Sequence, residues 1–105
     1  NDVLQLTFRQ SNRKIKISEV ASVANLSSEG FCGYFKVRTR KTYTNFLNEV
    51  RISHACKRLI EGESNIQSVC YEVGFQNLSH FNRQFKKVTG KTPTKYIGSS
   101  IRIQG

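Results

Sequence analysis

The stretch IQSVCYEVGFQNLSHFNRQFKKVTGKTPTKYI, residues 66–97, decides the fold. Ile66, Val69, Cys70 and Val73 fall at i, i+3, i+4 and i+7, the spacing of one apolar face on a two-turn helix. Gly74-Phe75 then makes a turn, Phe81 and Phe85 carry a second helix, and Gly90 stops it. Thr92 before Pro93 is an N-cap followed by proline at the first helical position, so a short last helix holds Tyr96 and Ile97.

The same pattern stands upstream. Ile17, Val20, Ala21 and Ala24 repeat the helical spacing, with Ser18 available as an N-cap. A break follows at Asn25-Leu26-Ser27, and Ser27 or Ser28 can cap the next helix. Its apolar stripe is Phe31, Tyr34 and Phe35, with Lys36, Arg38, Arg40 and Lys41 trailing. Ile17 and Val20 match Ile66 and Val69 at a shift of 49 (66 minus 17). Past the turn the shift is 50 (81 minus 31), pairing Phe31, Phe35, Lys36, Thr39, Lys41, Thr42 and Thr44 with Phe81, Phe85, Lys86, Thr89, Lys91, Thr92 and Thr94. One residue has been added in the second turn, and a duplicated helix-turn-helix unit explains the agreement.

Between the copies, the longest periodic stretch runs from about Tyr43 to Glu61, with Phe46, Leu47, Val50, Ala55, Cys56, Leu59 and Ile60 on one face and Gly62 closing it. Ahead of the first copy, Val3, Leu4, Leu6 and Phe8 mark a short helix beginning after Asn1 or Asp2, and Ser11 to Lys14 form the loop that ends it. The tail from Ser99 to Gly105 is expected to fray. The fold class is therefore all-α, about seven helices, with helix-turn-helix units at about 17–41 and 66–90 joined by a linker helix at about 43–61, in one domain of residues 1–105.

Charge points to the partner. The 105 residues carry 17 Lys plus Arg against 7 Asp plus Glu, a formal net charge of +10, which suits a polyanion. No apolar run of spanning length and no lipidation signal points to a membrane. Cys32, Cys56 and Cys70 lack C-x-x-C spacing, and His54 and His80 stand away from them, so no metal is expected. With no Ser-His-Asp set and no glycine-rich phosphate loop, no enzyme or cofactor is expected. The cysteine usage and the lack of a secretory signal fit a reduced cytoplasmic chain, and Asn1 in place of Met fits a piece of something larger. A single-strand or RNA binder would carry its aromatics with glycine on strands, whereas Phe31, Phe35, Phe81 and Phe85 recur at helical spacing and belong to a core.

Residues 66–97 closely resemble the second helix-turn-helix of the AraC/XylS family of transcription regulators. SEVASVANLSSEGFCGYFK (18–36) is similar to the family's first unit, and NFLNEVRISHACKRLIEG (45–62) to its linker helix. The resemblance implies seven helices, with the third and sixth entering successive major grooves of promoter DNA. It further implies contact with RNA polymerase, a nucleoid-associated activator, and an effector acting through a domain absent from this chain. Carried over, base reading falls to Ser28, Glu29, Cys32 and Gly33 in the first unit and to Leu78, Ser79, Asn82 and Arg83 in the second. Phosphate contacts fall to Lys36, Arg38, Lys41, Asn77, His80, Lys86, Lys87 and Lys91. The first reader helix departs from the pattern. Gly30 and Gly33 each cost it about 1 kcal/mol relative to Ala, and Arg40 stands at the step that is Gly90 in the second copy, so a different cap is expected there.

Overall fold

A computed structural model describes residues 2–63 and 65–104, the side chains of 99–104 excepted. Among the described residues there are seven helices and no strand: α1 (Asp2–Gln10), α2 (Ile17–Val23), α3 (Ser28–Thr39), α4 (Tyr43–Ile60), α5 (Ile66–Glu72), α6 (Leu78–Thr89) and α7 (Pro93–Gln104). The chain divides into two compact units, Asn1–Val50 and Arg51–Gly105, so the boundary falls inside α4. None of these helices is long and apolar enough to cross a membrane.

In the first unit the expected aromatic stripe is the core. Phe31 and Phe35 are buried on α3 with Val3, Val20, Ala21, Tyr43 and Leu47 around them. The Phe31, Phe35 and Tyr43 rings meet pairwise with centroids 5.4–5.6 Å apart, within the range of favourable edge and tilted packing. A polar link runs through this core. The Thr7 hydroxyl donates to the Val3 carbonyl at 2.8 Å, which spends its only proton, so the Tyr43 hydroxyl 2.6 Å away donates to Thr7.

In the second unit Phe81 and Phe85 are fully buried on α6 among Ile52, Ala55, Leu59, Val69, Val73 and Phe75. Cys56 on α4 and Tyr96 on α7 are half-buried and pack against this core. Burial raises the Cys56 thiol pKa. Cys70 is buried and Cys32 is exposed, each as a free thiol.

The duplication runs deeper than the sequence match. α2 and α5 start and end 49 residues apart, and α3 and α6 50 apart. In both turns the chain reverses on a left-handed residue, Asn25 (φ 59°) or Gly74 (φ 114°). The next amide then reaches back five residues, Leu26 to the Ala21 carbonyl and Phe75 to that of Cys70. Gln76 follows and is the added residue. Ser27 and Asn77 then cap α3 and α6 by accepting from the amides of Gly30 and His80. Thr42 and Thr92 play the same part for α4 and α7, accepting from the amides of Asn45 and Lys95.

Several expectations are corrected. Ser18 lies inside α2. The cap position is Lys16, which is extended and offers no side-chain acceptor, while its carbonyl takes the amides of Glu19 and Val20. Tyr34 leaves the stripe and is 53% exposed. On α4, Ile60 is exposed, and Ile52, Ala55 and Leu59 form the buried row at i, i+3 and i+7, because Ile60 lies one step further round the helix. The tail is helical through Gln104, since Gly98 alone does not stop it; Asn1, Ser64 and Gly105 lie outside the described residues. α3 and α6 end on the same cap. Arg40 is left-handed at φ 64° as Gly90 is at 82°, and both amides return to the lysine four residues back at 2.8 Å.

Arg40 accepts a conformation that favours glycine, and Gly33 leaves a helix interior without a side chain although a Cβ there would meet nothing within 4 Å. Arg40→Gly and Gly33→Ala are each expected to raise unfolding free energy by about 1 kcal/mol, read by urea denaturation. Gly30→Ala should gain less, because its Cβ would sit 3.1 Å from the capping Ser27 hydroxyl.

Candidate nucleic-acid interface

The buried rows fix which faces of α3 and α6 remain outside. On α6, Phe81 and Phe85 point inward, so Ser79, Asn82, Arg83 and Lys86, at i, i+3, i+4 and i+7, form the opposite row, and all four are exposed. Asn82, Arg83, Lys86 and Lys87 together with Thr92 border one open depression of about 470 Å³. Among the described residues none of Arg83, Lys86 and Lys87 is ion-paired. Three cations held beside one another without a carboxylate leave this surface positive and uncompensated.

The equivalent row on α3 is Glu29, Cys32, Gly33 and Lys36, likewise exposed, with Ser28 beside it. It carries one cation and one carboxylate where α6 carries two cations. Gly33 stands at the step of Arg83 and Cys32 at that of Asn82, each by a shift of 50. The acidic complement is used elsewhere: Arg13 is paired to Glu19 and Arg58 to Glu72. That bond holds the Glu19 carboxyl below its ordinary pKa. On α4, burial first and then Arg58 and Lys57 keep His54 below its ordinary pKa, so it is neutral at neutral pH. Among the described residues no cluster of His, Cys, Asp and Glu could hold a metal.

Five residues singled out in the sequence lie differently from the rest. Leu78 is half-buried and packs on the core of its unit. Asn77 spends its side-chain oxygen on the amide of His80 at 2.8 Å, so it shapes the start of α6. The His80 ring packs edge-on against Phe75 with centroids 5.5 Å apart. Lys41 is drawn to Glu49, its Nζ 2.9 Å from Oε1. Arg38 is not brought to this face at all, for it lies one turn beyond Tyr34 and Phe35, away from the outer row, and its guanidinium lies over the exposed Tyr34 ring at 5.3 Å. The +10 count could not reveal this, because a tally of Lys and Arg carries no azimuth. Lys91 follows the Gly90 cap, its carbonyl accepting from Thr89. Thr92, read from sequence only as a cap, also borders the depression.

Two short helices meeting through a tight turn, the second presenting a polar and basic outer row, recur in known proteins. Residues 20–99 match the family model for a helix-turn-helix domain. The chain belongs to the AraC-type helix-turn-helix family. It is a family of DNA-binding domains of transcription regulation. An HTH-type transcriptional regulator of Bacillus subtilis, YdeC, is 34% identical over 83 residues, 79% of this chain and 28% of that protein. Solved structures share the AraC-type fold. A probable AraC family regulator from Rhodopseudomonas palustris has a TM-score of 0.85 at 24% identity, over 93% of each chain. The DNA-binding domain of AdpA, solved with a target DNA, has a TM-score of 0.86 at 20% identity, over 99% of this chain and 96% of that one. The chain spans between 28% and 48% of the length of the first three curated relatives it matches.

Lys86 and Lys41 make opposite cases within one motif. Lys86→Ala should lower the slope of log affinity against log salt by about one, whereas Lys41→Ala, whose ammonium is shared with Glu49, should lower it by less. Fluorescence anisotropy across a salt series measures both, and equal slopes would show that the Glu49 pairing does not persist on DNA.

Proposed function

We propose that this chain reads promoter DNA with α3 and α6 in successive major grooves, and that α6 supplies most of the base discrimination. The carrying observation is the outer row of α6, where Ser79, Asn82 and Arg83 stand beside the unpaired Lys86 and Lys87. Arg83 suits a bidentate contact to guanine O6 and N7, and Asn82 one to adenine, each worth about 1–3 kcal/mol of discrimination. On α3, Gly33 and Cys32 offer neither, Glu29 can accept from cytosine N4, and Ser28 and Lys36 complete a surface weighted toward backbone contact.

The longer relatives, among them the transcriptional regulator YdeC, support reading residues 1–105 as the single DNA-binding part of a larger regulator. In this proposal the effector acts through that larger protein, RNA polymerase is the partner at the promoter, and the site of action is the cytoplasmic nucleoid. Sequence selection from a random duplex pool tests the division of labour. Arg83→Ala should flatten preference at one or two base pairs under α6, and Lys36→Ala should weaken all sequences alike. Equal base-pair information under both helices, or an unchanged preference in Arg83→Ala, would overturn it; protection of a single groove by a monomer in footprinting would overturn the two-groove arrangement.

A further inference from the structure

The two units serve as internal controls for one another, and they differ on the side away from the outer rows. In the first unit a groove of about 490 Å³ opens between α1, α2 and α3, walled by Leu4, Val23, Leu26 and Tyr34, with Arg38 at its edge. These four apolar residues are 37–53% exposed. In the second unit the same steps are Ser53, Glu72, Phe75 and Gln84, at shifts of 49, 49, 49 and 50. Phe75 is 3% exposed there, and the Arg51 guanidinium lies 5.8 Å from its ring centroid. Leu26 makes the same backbone bond as Phe75 yet is smaller and does not fill the space. The fold therefore does not require an apolar surface at these steps, since the second copy stands without one. In the first copy the surface is an addition.

Arg38 supplies the charge argument. Its guanidinium rests on Tyr34 with no carboxylate partner among the described residues, so it offers its donors outward at the edge of an apolar trough. We propose that this groove docks an acidic amphipathic helix of a separate protein, which inserts one large apolar side chain where Phe75 sits in the second unit and sets a carboxylate against Arg38. Asp2 also borders the groove, so the acidic contact is made at Arg38 and not around the whole rim. The surface is independent of DNA reading, because none of its residues belongs to the outer rows of α3 and α6.

The test is a titration of the ¹⁵N-labelled chain with a synthetic 16-residue helical peptide bearing Leu and Phe at i, i+3, i+4 and i+7 and Glu elsewhere, beside a control with Lys for Glu. The acidic peptide should shift the amides of Leu4, Val23, Leu26 and Tyr34, and the basic one should not. Leu26→Phe fills the groove as the second unit does, and Val23→Glu installs the residue of the second unit, with Arg9 at the step of the Arg58 that pairs Glu72 there. Each should weaken the peptide at least tenfold while leaving DNA affinity unchanged. Arg38→Glu should reverse the preference between the two peptides. Shifts confined to Arg83, Lys86 and Lys87, binding indifferent to Leu26→Phe and Val23→Glu, or loss of the groove signals only on self-association of the chain would overturn the proposal.

Discussion

Each unit depends on a pair of phenylalanines one helical turn apart on the second helix of its helix-turn-helix, α3 or α6. Phe31 with Phe35, and Phe81 with Phe85, have ring centroids 5.6 Å apart and are held from both sides by the neighbouring helices. Burying that row fixes the rotation of the helix about its axis. Rotation decides everything outward, since a row at i, i+3, i+4 and i+7 opposite the rings can face a ligand only if the rings cannot turn. The caps complete the constraint by fixing where each helix begins and ends. Ser27 and Asn77 start the helices, and the left-handed residues Arg40 and Gly90 stop them. Positions along α3 and α6 are thereby set in rotation and in register within their own unit.

How far this was legible from the chain alone depended on whether a feature repeats. Helical spacing is periodic, so the seven elements, the aromatic core and the one-residue difference between the turns could all be read from residues such as Ile17, Phe31, Ile66 and Phe81. Features that rest on a single contact could not. Nothing in the string tells that Lys41 meets Glu49, that Arg38 lies on Tyr34, or that His80 packs on Phe75, because each requires two side chains from specified rotations. The choice between Ser27 and Ser28 as a cap was open for a similar reason: two adjacent hydroxyls are equivalent in sequence, and only backbone geometry selects one. The extension of the tail through Gln104 went the other way, since a lone Gly98 with no proline after it is a weak stop.

The copies share a scaffold and differ in what they display. The second concentrates uncompensated cations on its outer row and closes its inner side with Phe75 under Arg51. The first has a sparse outer row, ties Lys41 to an acid and leaves its inner side apolar and open. Duplication makes such a split physically cheap, because one copy can keep its outer row while the other changes, provided each retains its aromatic pair and its caps.

The open space around Gly33 has a consequence for how this chain could acquire new targets. A side chain added there would meet no neighbouring atom within 4 Å, at a step that faces outward in mid-helix. Most substitutions at that position would therefore leave the core intact and gain helix propensity, while adding a chemical group to the outer row. New binding preferences usually carry a stability cost that must be offset elsewhere. At Gly33 the two run together, so the outer row of α3 can gain a chemical group in one mutational step, with no compensating change needed in the rest of the fold.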